Sequence, residues 1–502
     1  MSLRTRLYAK LMIAGKTSAA KSFAKLPPVG HKEKVPTRPI SDVWGLAATD
    51  LHVAAGLPKW DTHGISEAAG VSIVQGLQRT LPNTEHWNRW TSREEVDAHL
   101  ADVLGQTGVR FGPWPDYTTD AAFARALVQG PAAPIIERRG EQFVVDVRIL
   151  AGLERHPGTR PIAALVTFDF ADGVPFLVSI ELEDGAVRTP QDGEAWEIAK
   201  LIAAAGIQTW LVVGPHLLYT HFLTAGAMAT ATVSELGADH PVRRLLTPHI
   251  AGTLRVNDRA GKTLLGPFGN VQAVYTFPWS SVQILLARAV AQFDPLCYDL
   301  PHDLNRRGVA DLAASGEYPY GADALLLWNA MLLYVREYLC AYYPDDAAIR
   351  ADAELQAFIA SYLRLSPGLA GDGLDTLART LCARIFGVSV YHKMVGGLSL
   401  EFLTHPYFLP HKVGPGDRVD DVVPYREETE ANLAAKFGTT YRTWALTADW
   451  PSVALDAKGR AVMEAFQADL KTIGEHIDAR NARRAVPFPH LKPTELESSV
   501  AV

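Results

Sequence analysis

The sequence predicts a mainly α protein: one large helical domain with a few short β-strands and a central long helix that carries a π-turn. Three observations lead there. Strand-like patterning, with β-branched and aromatic residues between turn signals, is confined to Gln142 to Ile149 and Ile162 to Ile180. The stretch from Leu201 to Ser234 contains no Asp, Glu, Lys or Arg and is far too long for a strand. Within it His216 and His221 stand five apart. An α-helix with 3.6 residues per turn would swing the second ring about 140° away from the first. The two rings can share one partner only if the helix widens locally to i to i+5 bonding.

Taken along the chain, residues 1–40 form a basic arm. Nine Lys and Arg face a single acid, Glu33, which puts the arm at +8 in a chain whose total is -7. Leu3, Leu7 and Leu11 fall on one helical face among these charges, the pattern of a helix lying on a lipid surface, although a solvated arm would have the same composition. Pro27, Pro28, Pro36 and Pro39 close the arm, and no later linker or repeat interrupts residues 41–502, which are expected to form one compact unit. Asp172-Gly173 and Asp184-Gly185 mark the turns of the strand region. Long apolar helices are expected around Ala195 to Leu236, Asp323 to Tyr342 and Leu374 to Leu403.

Composition narrows the function. With 48% hydrophobic and 21% charged residues in 502, the chain can bury a large core. The negative balance argues against nucleic acid as a partner, because phosphates would go unneutralised. Cys297, Cys340 and Cys382 form no CxxC pair and suggest neither a disulfide framework nor a thiolate metal site, which fits a reducing, cytoplasmic setting. Lys10 breaks the only short apolar run near the start, so no secretory signal is expected. Hydropathy alone would make Leu201 to Ser234 a membrane span, but Gln208, Pro215, His216 and His221 near its middle fit a helix buried inside protein better.

Several chemistries drop out. Gly15-Lys16-Thr17 and Gly261-Lys262-Thr263 lack the first glycine of a phosphate loop, since Lys10 and Val256 stand in its place. Gly387-Val-Ser389-Val-Tyr391 lacks the second glycine of a nucleophile elbow, and there is no HExxH. What remains is an ordered series: Asp120-Ala-Ala-Phe123 to Gly130, Trp196-Glu-Ile-Ala-Lys200, His216-Leu-Leu-Tyr-Thr-His221, His240-Pro241, Leu246-Thr-Pro-His249 and Val256-Asn-Asp-Arg-Ala260. It continues with Arg307-Gly-Val-Ala310, Tyr318-Pro-Tyr320, Asp323 to Trp328, Glu354-Leu-Gln-Ala357 and Val388-Ser-Val-Tyr-His392. In order and spacing this series resembles the lipoxygenase family from about Asp116 onward.

The resemblance implies a non-haem iron dioxygenase, with manganese as an alternative metal. It places His216, His221 and His392 on the family's histidine ligands and the carboxylate of Val502 on its terminal ligand, where the family usually has Ile. The implied reaction takes a hydrogen from the bis-allylic methylene of a polyunsaturated fatty acid and adds O2. Leu217, Val256, Ala260 and Leu264 would line the substrate pocket, with Ala260 implying an S hydroperoxide. His240 and His249 match family histidines outside the metal shell and are assigned structural hydrogen bonds. No segment is strand-rich enough for the β-barrel module that opens animal and plant members, so the likeness is to the catalytic domain, and any peripheral membrane contact would fall to the basic arm.

Two departures stand out. Gly261 replaces an Arg common after the alanine. Gly396 stands four residues after His392, where the family has Asn, His or Ser as a further ligand; a water could fill the vacated position, or a distorted helix could alter the metal's redox behaviour. Two alternatives therefore accompany the dioxygenase reading: an isomerase or dehydratase of fatty-acid hydroperoxides using the same metal, and a lipid-binding protein that has lost it.

Overall fold

In a computed structural model, the described residues are 29–61, 88–105, 116–397, 405–429, 432 and 444–500. The helices that build the site and its frame are α1 Asp120–Gln129, α2 Glu194–Leu211, α3 Ala227–Glu235, α4 Pro241–Ile250, α5 Thr253–Thr263, α6 Trp279–Gln292, α7 Pro319–Tyr342, α8 Ala353–Leu365, α9 Leu374–Phe386 and α10 Ala457–Asn481. Between α2 and α3 the chain stays helical but widens, so that Val212–Gly226 is a π-helix. The widening predicted from the histidine spacing is present. Two more π-helical stretches, Gly387–Tyr391 and Lys393–Gly397, flank His392, which neither composition nor spacing indicated. Residues 398–403 of the expected helix Leu374 to Leu403 lie outside the described residues.

Strands are few, as expected, although those at residues 37–39, 52–54, 137–139 and 187–188 fall outside the two expected stretches. β1 (Thr37–Pro39) and β2 (His52–Ala54) form a small antiparallel ladder. β3 (Glu137–Arg139), β4 (Gln142–Asp146), β5 (Ala164–Ala171), β6 (Val174–Leu182) and β7 (Val187–Arg188) form a five-stranded antiparallel sheet in sequence order. Phe143 opposes Phe168 and Val166 opposes Ile180, all buried, while Leu165 and Thr167 between them are half exposed, so the period-2 pattern gives one face to the core. Asp172 (φ 51°) and Gly173 (φ 76°) make the β5–β6 turn in the left-handed region that such two-residue hairpins require.

The rod Glu194–Glu235 is the axis of the molecule, and 94% of its most apolar window is buried in protein. Its start is fixed by polar contacts. Asp120, at the first turn of α1, accepts from Trp196 Nε1 at 2.9 Å and from Lys200 Nζ at 2.5 Å, and Lys200 also meets Glu197 at 2.9 Å. Two separate sequence motifs thus meet on one carboxylate. Gly206 lets α2 touch the sheet region: a Cβ there would run into the Ile162 carbonyl and lie 3.1 Å from Val147 Cγ2. Further along, Leu211, Val213, Leu218, Leu223 and Met228 are fully buried, and each such side chain contributes about 1.5–3 kcal/mol when removed from water.

Residues 1–28 of the basic arm lie outside the described residues. Residues 29–40 run along the ends of α3 and α8, where Lys34 pairs with Glu235 at 3.3 Å, Lys32 pairs with Glu354 at 3.2 Å and Val35 N donates to Ser234 Oγ at 3.0 Å.

A second long apolar helix, α7, carries Asp323 with no solvent exposure. Its carboxylate accepts from Arg480 at 2.7 Å and from Arg484 at 2.8 and 2.9 Å, clamping α10 across α7. Removing the buried charge while leaving two guanidinium groups is the costly way to break such a pair. Asp323→Asn is therefore expected to lower stability by about 3 kcal/mol, read as a reduced urea midpoint; an unchanged midpoint would show that the clamp adds nothing.

Candidate metal centre

The π-widened rod brings His216 and His221 to the same side, and the π-flanked His392 approaches from the C-terminal half of the domain. Their Nε2 atoms form a near-equilateral triangle: 3.1 Å from His216 to His221, 3.1 Å from His216 to His392 and 3.1 Å from His221 to His392. This is the one group of three or more His, Cys, Asp or Glu side chains with converging ligand atoms found among the described residues. Two features hold the widened helix. Pro215 has no N–H to give the helical ladder. Thr220 Oγ1 instead donates 2.7 Å back to the Pro215 carbonyl and lies 3.2 Å from Tyr298 Oη.

Protonation suits a cation. Burial keeps His216 and His392 well below the ordinary imidazole value and pushes His221 down to about 4, so all three rings are neutral near neutral pH. For His221 the tautomer is also set. Asn257, on α5, donates from Nδ2 to the His221 carbonyl at 2.6 Å, which leaves its Oδ1 facing His221 Nδ1 at 3.0 Å. An amide oxygen only accepts, so the proton sits on Nδ1 and the Nε2 lone pair points into the triangle. Nitrogens held about 2.1 Å from one cation at right angles would be about 3.0 Å apart. Donor type, neutrality and spacing therefore fit a divalent first-row metal such as iron or manganese, and the fit is to imidazole donors with further positions left for oxygen ligands.

Of the two expectations at Gly396, a water or a distorted helix, the helix is π-widened over Lys393–Gly397. A Cβ on Gly396 would lie 2.5 Å from His216 Cδ2, 3.1 Å from Cε1 and closer still to Nε2. The backbone of Lys393–Gly397 is pressed directly against the His216 ring, so the place where a side chain would begin is already filled.

Val502, the remaining ligand implied by the resemblance, lies outside the described residues. The preceding tail enters the core: Ser498, Ser499 and Val500 are fully buried. His249 Nδ1 donates to the Ser498 carbonyl at 2.9 Å, and Ser499 Oγ donates to the Ala251 carbonyl at 2.8 Å. Burial pushes His249 down to about 4, against that bond. His240 caps α4, accepting from Val242 N at 3.2 Å, and its Nε2 meets Asp352 at 3.0 Å. Both histidines sit in hydrogen-bonding positions away from the triangle. Of the implied pocket residues, Leu217, Val256 and Ala260 are buried and Leu264 is half-buried against the core. Asn257 was quoted within a motif but given no role by sequence; an uncharged amide among the buried residues of α5 was the available signal.

Comparison with known proteins agrees with this arrangement. The lipoxygenase family profile matches residues 184–365, which span the rod, α4 to α8 and two of the three histidines. The linoleate 9/13-lipoxygenase of Pseudomonas aeruginosa is 28% identical over 331 residues, 61% of this chain and 48% of that protein. The hydroperoxide isomerase ALOXE3 of Rattus norvegicus is 29% identical over 405 residues, 72% of this chain and 55% of that protein. Among solved structures, a coral 8R-lipoxygenase superposes with a TM-score of 0.79 at 18% identity, covering 97% of this chain and 81% of that one. A calcium-dependent 11R-lipoxygenase gives 0.80 at 20% identity, covering 97% and 80%. The fold is that of the lipoxygenase catalytic domain. Part of the chain matches the lipoxygenase family profile and the relatives above are similar to it; the chain spans about half the length of the curated relatives it matches.

Asn257 would act on a bound metal only through His221, and loss of such a partner typically weakens binding. Asn257→Ala is expected to lower Mn(II) affinity by about tenfold to a hundredfold, measured by competition with a chelator. Wild-type affinity in the variant would remove Asn257 from the centre.

Proposed function

We propose that this chain is a metal-dependent oxidoreductase that converts a polyunsaturated fatty acid and O2 into a fatty-acid hydroperoxide, the S isomer on the reading of Ala260. The observation that carries the proposal is the triangle of neutral imidazole nitrogens, 3.1 Å on each edge. Iron held by His216, His221, His392 and the carboxylate of Val502 would supply the one-electron oxidation of the weak bis-allylic C–H bond; manganese fits the same donors, whereas zinc offers no redox step.

The chain's own residues do the rest. Asn257 keeps the His221 lone pair aimed inward, and burial keeps protons off the three rings. The apolar side chains of Leu217, Val256, Ala260 and Leu264 would hold the hydrocarbon and exclude water, while the Ala260 methyl would screen one end of the pentadiene from O2. The reaction needs no other reactant: the C–H hydrogen leaves carbon and is regained as the hydroperoxide O–H, with both atoms of O2 retained. Access is supported by a cavity of about 430 Å³ at the end of α5, lined by Trp44, Lys262, Leu265 and Phe268 among others. The Trp44 ring meets Phe222, the neighbour of His221, edge to face at 4.7 Å.

Isomerisation of a preformed hydroperoxide is the second reading, favoured by the names of two relatives: the rat hydroperoxide isomerase and an allene oxide synthase-lipoxygenase protein of Plexaura homomalla. Loss of the metal in a lipid-binding protein is the third. Cytoplasmic placement with peripheral membrane contact through the basic arm belongs to the same proposal, and equal liposome binding with and without residues Met1 to Lys25 would reject that contact.

An oxygen electrode separates the first two readings. Oxygen uptake with linoleate is expected, whereas consumption of a linoleate hydroperoxide without oxygen uptake would favour isomerisation. His221→Ala should abolish both bound iron and uptake in a folded protein, and retained iron would refute the ligand set. Ala260→Gly should move product from S towards R, and unchanged stereochemistry would mean that Ala260 does not face the pentadiene.

A further inference from the structure

We propose that Gly396 is a positioning residue that seats His216, and that this centre has no side-chain ligand from position 396 because the metal-binding edge of His216 occupies that space. The inference rests on the reading of the triangle as a metal centre and goes beyond it. The three heavy atoms nearest to a Cβ built on Gly396 all belong to the His216 ring, two of them at 2.5 and 3.1 Å and the third, Nε2, closer still. Carbon atoms in contact ordinarily stay about 3.5–4.0 Å apart. The clash could be relieved cheaply if the ring were a loose side-chain end. It is not, because His216 Nε2 lies 3.1 Å from both other Nε2 atoms, and any swing that clears a Cβ at 396 takes the ring away from its two neighbours.

The opposite adjustment is also closed. Gly396 lies in the π-helical stretch Lys393–Gly397, directly after His392. Met394 and Val395, which precede it, are fully buried. Backing this backbone away from His216 would therefore unpack a core segment and drag on His392 at the same time. Glycine at 396 is the residue that lets one π-helical backbone lie flat against an imidazole seated on another. The departure from the family pattern is then a rebuilt wall of the site, with the ligand position exchanged for a direct backbone contact.

The test has two arms. In the first, thermal midpoints are compared for the metal-free full chain, Gly396→Ala, His216→Ala and the double variant. Competition for one space predicts that Gly396→Ala lowers the midpoint by several degrees when His216 is present and has little effect in the His216→Ala background. Equal effects in both backgrounds would overturn the proposal. In the second arm, Mn(II) affinity is measured by chelator competition for wild type, Gly396→Ala and Gly396→Asn. Both variants are expected to bind at least tenfold more weakly. If Gly396→Asn instead binds as tightly as wild type or more tightly, position 396 is an open coordination position and the inference fails. A wild-type chain that binds neither iron nor manganese would sink the metal reading itself, and the first arm would still decide whether residues 396 and 216 compete for one space.

Discussion

Three imidazole lone pairs aimed at a common point inside a protein repel one another unless something positive lies between them. In this molecule the fold brings the three Nε2 atoms together, and at His221 it also turns the lone pair inward. His221 cannot turn its proton inward, because Asn257 Oδ1 already takes it on Nδ1, and Asn257 cannot flip, because its amide nitrogen is engaged by the His221 carbonyl. None of the three rings is charged near neutrality, so the arrangement gains nothing from ion pairing of its own. A cation both relieves the repulsion and uses the desolvation already spent on these side chains. The free energy of binding such a cation would accordingly be coupled to the stability of every segment that presents a histidine.

Those segments are the least regular helices in the structure. A π-helical turn opens the i to i+4 ladder, and Val212–Gly226 sustains it for 15 residues with a proline inside. Such a backbone persists only when its surroundings over-determine it. Here they do so at both ends: Asp120 fixes the start of the rod through Trp196 and Lys200, and α3 is bound to residues 29–40 by Ser234 and Glu235. Between the ends, Gly206 presses the rod on the Ile162 carbonyl and Thr220 answers the Pro215 carbonyl. The wide turns are thus framed by conventional contacts several turns away.

How much of this could be read from the sequence depends on range. The three central strands were legible because alternation and the Asp-Gly turns are local signals, and Phe143, Val166 and Phe168 point where a period of two sends them, whereas the short edge strands β3 and β7 carry too few residues for a pattern. The widened turn was legible because two histidines five apart state a geometric problem with one helical solution. His392 lies 171 residues beyond His221, and no local rule links them; the family resemblance named it, and the fold then brought it within 3.1 Å. The roles of Asn257 and Ser498 were hidden for the same reason, since each is defined by a partner 36 or 249 residues away. The π-helical stretches around His392 left no trace either, because Gly387 to Gly397 carries no paired residues whose spacing would demand them.

Gly396 shows what residue type alone leaves open. The sequence allows a water at the ligand position or a distorted helix, and the helix is indeed widened at Lys393–Gly397. In a close-packed interior, however, the volume of a deleted side chain is seldom left empty; neighbours move into it or the backbone closes over it. Here the closing element is the backbone of Lys393–Gly397, and what it closes upon is the ring of His216. A glycine at a ligand position is then a statement about distance between two backbones. The same logic applies to the tail: Ser498, Ser499 and Val500 are drawn fully into the core by His249 and Ala251, so the segment leading to Val502 is held by hydrogen bonds that have nothing to do with metal. Backbone contacts thus hold both the wall against His216 and the segment that precedes Val502.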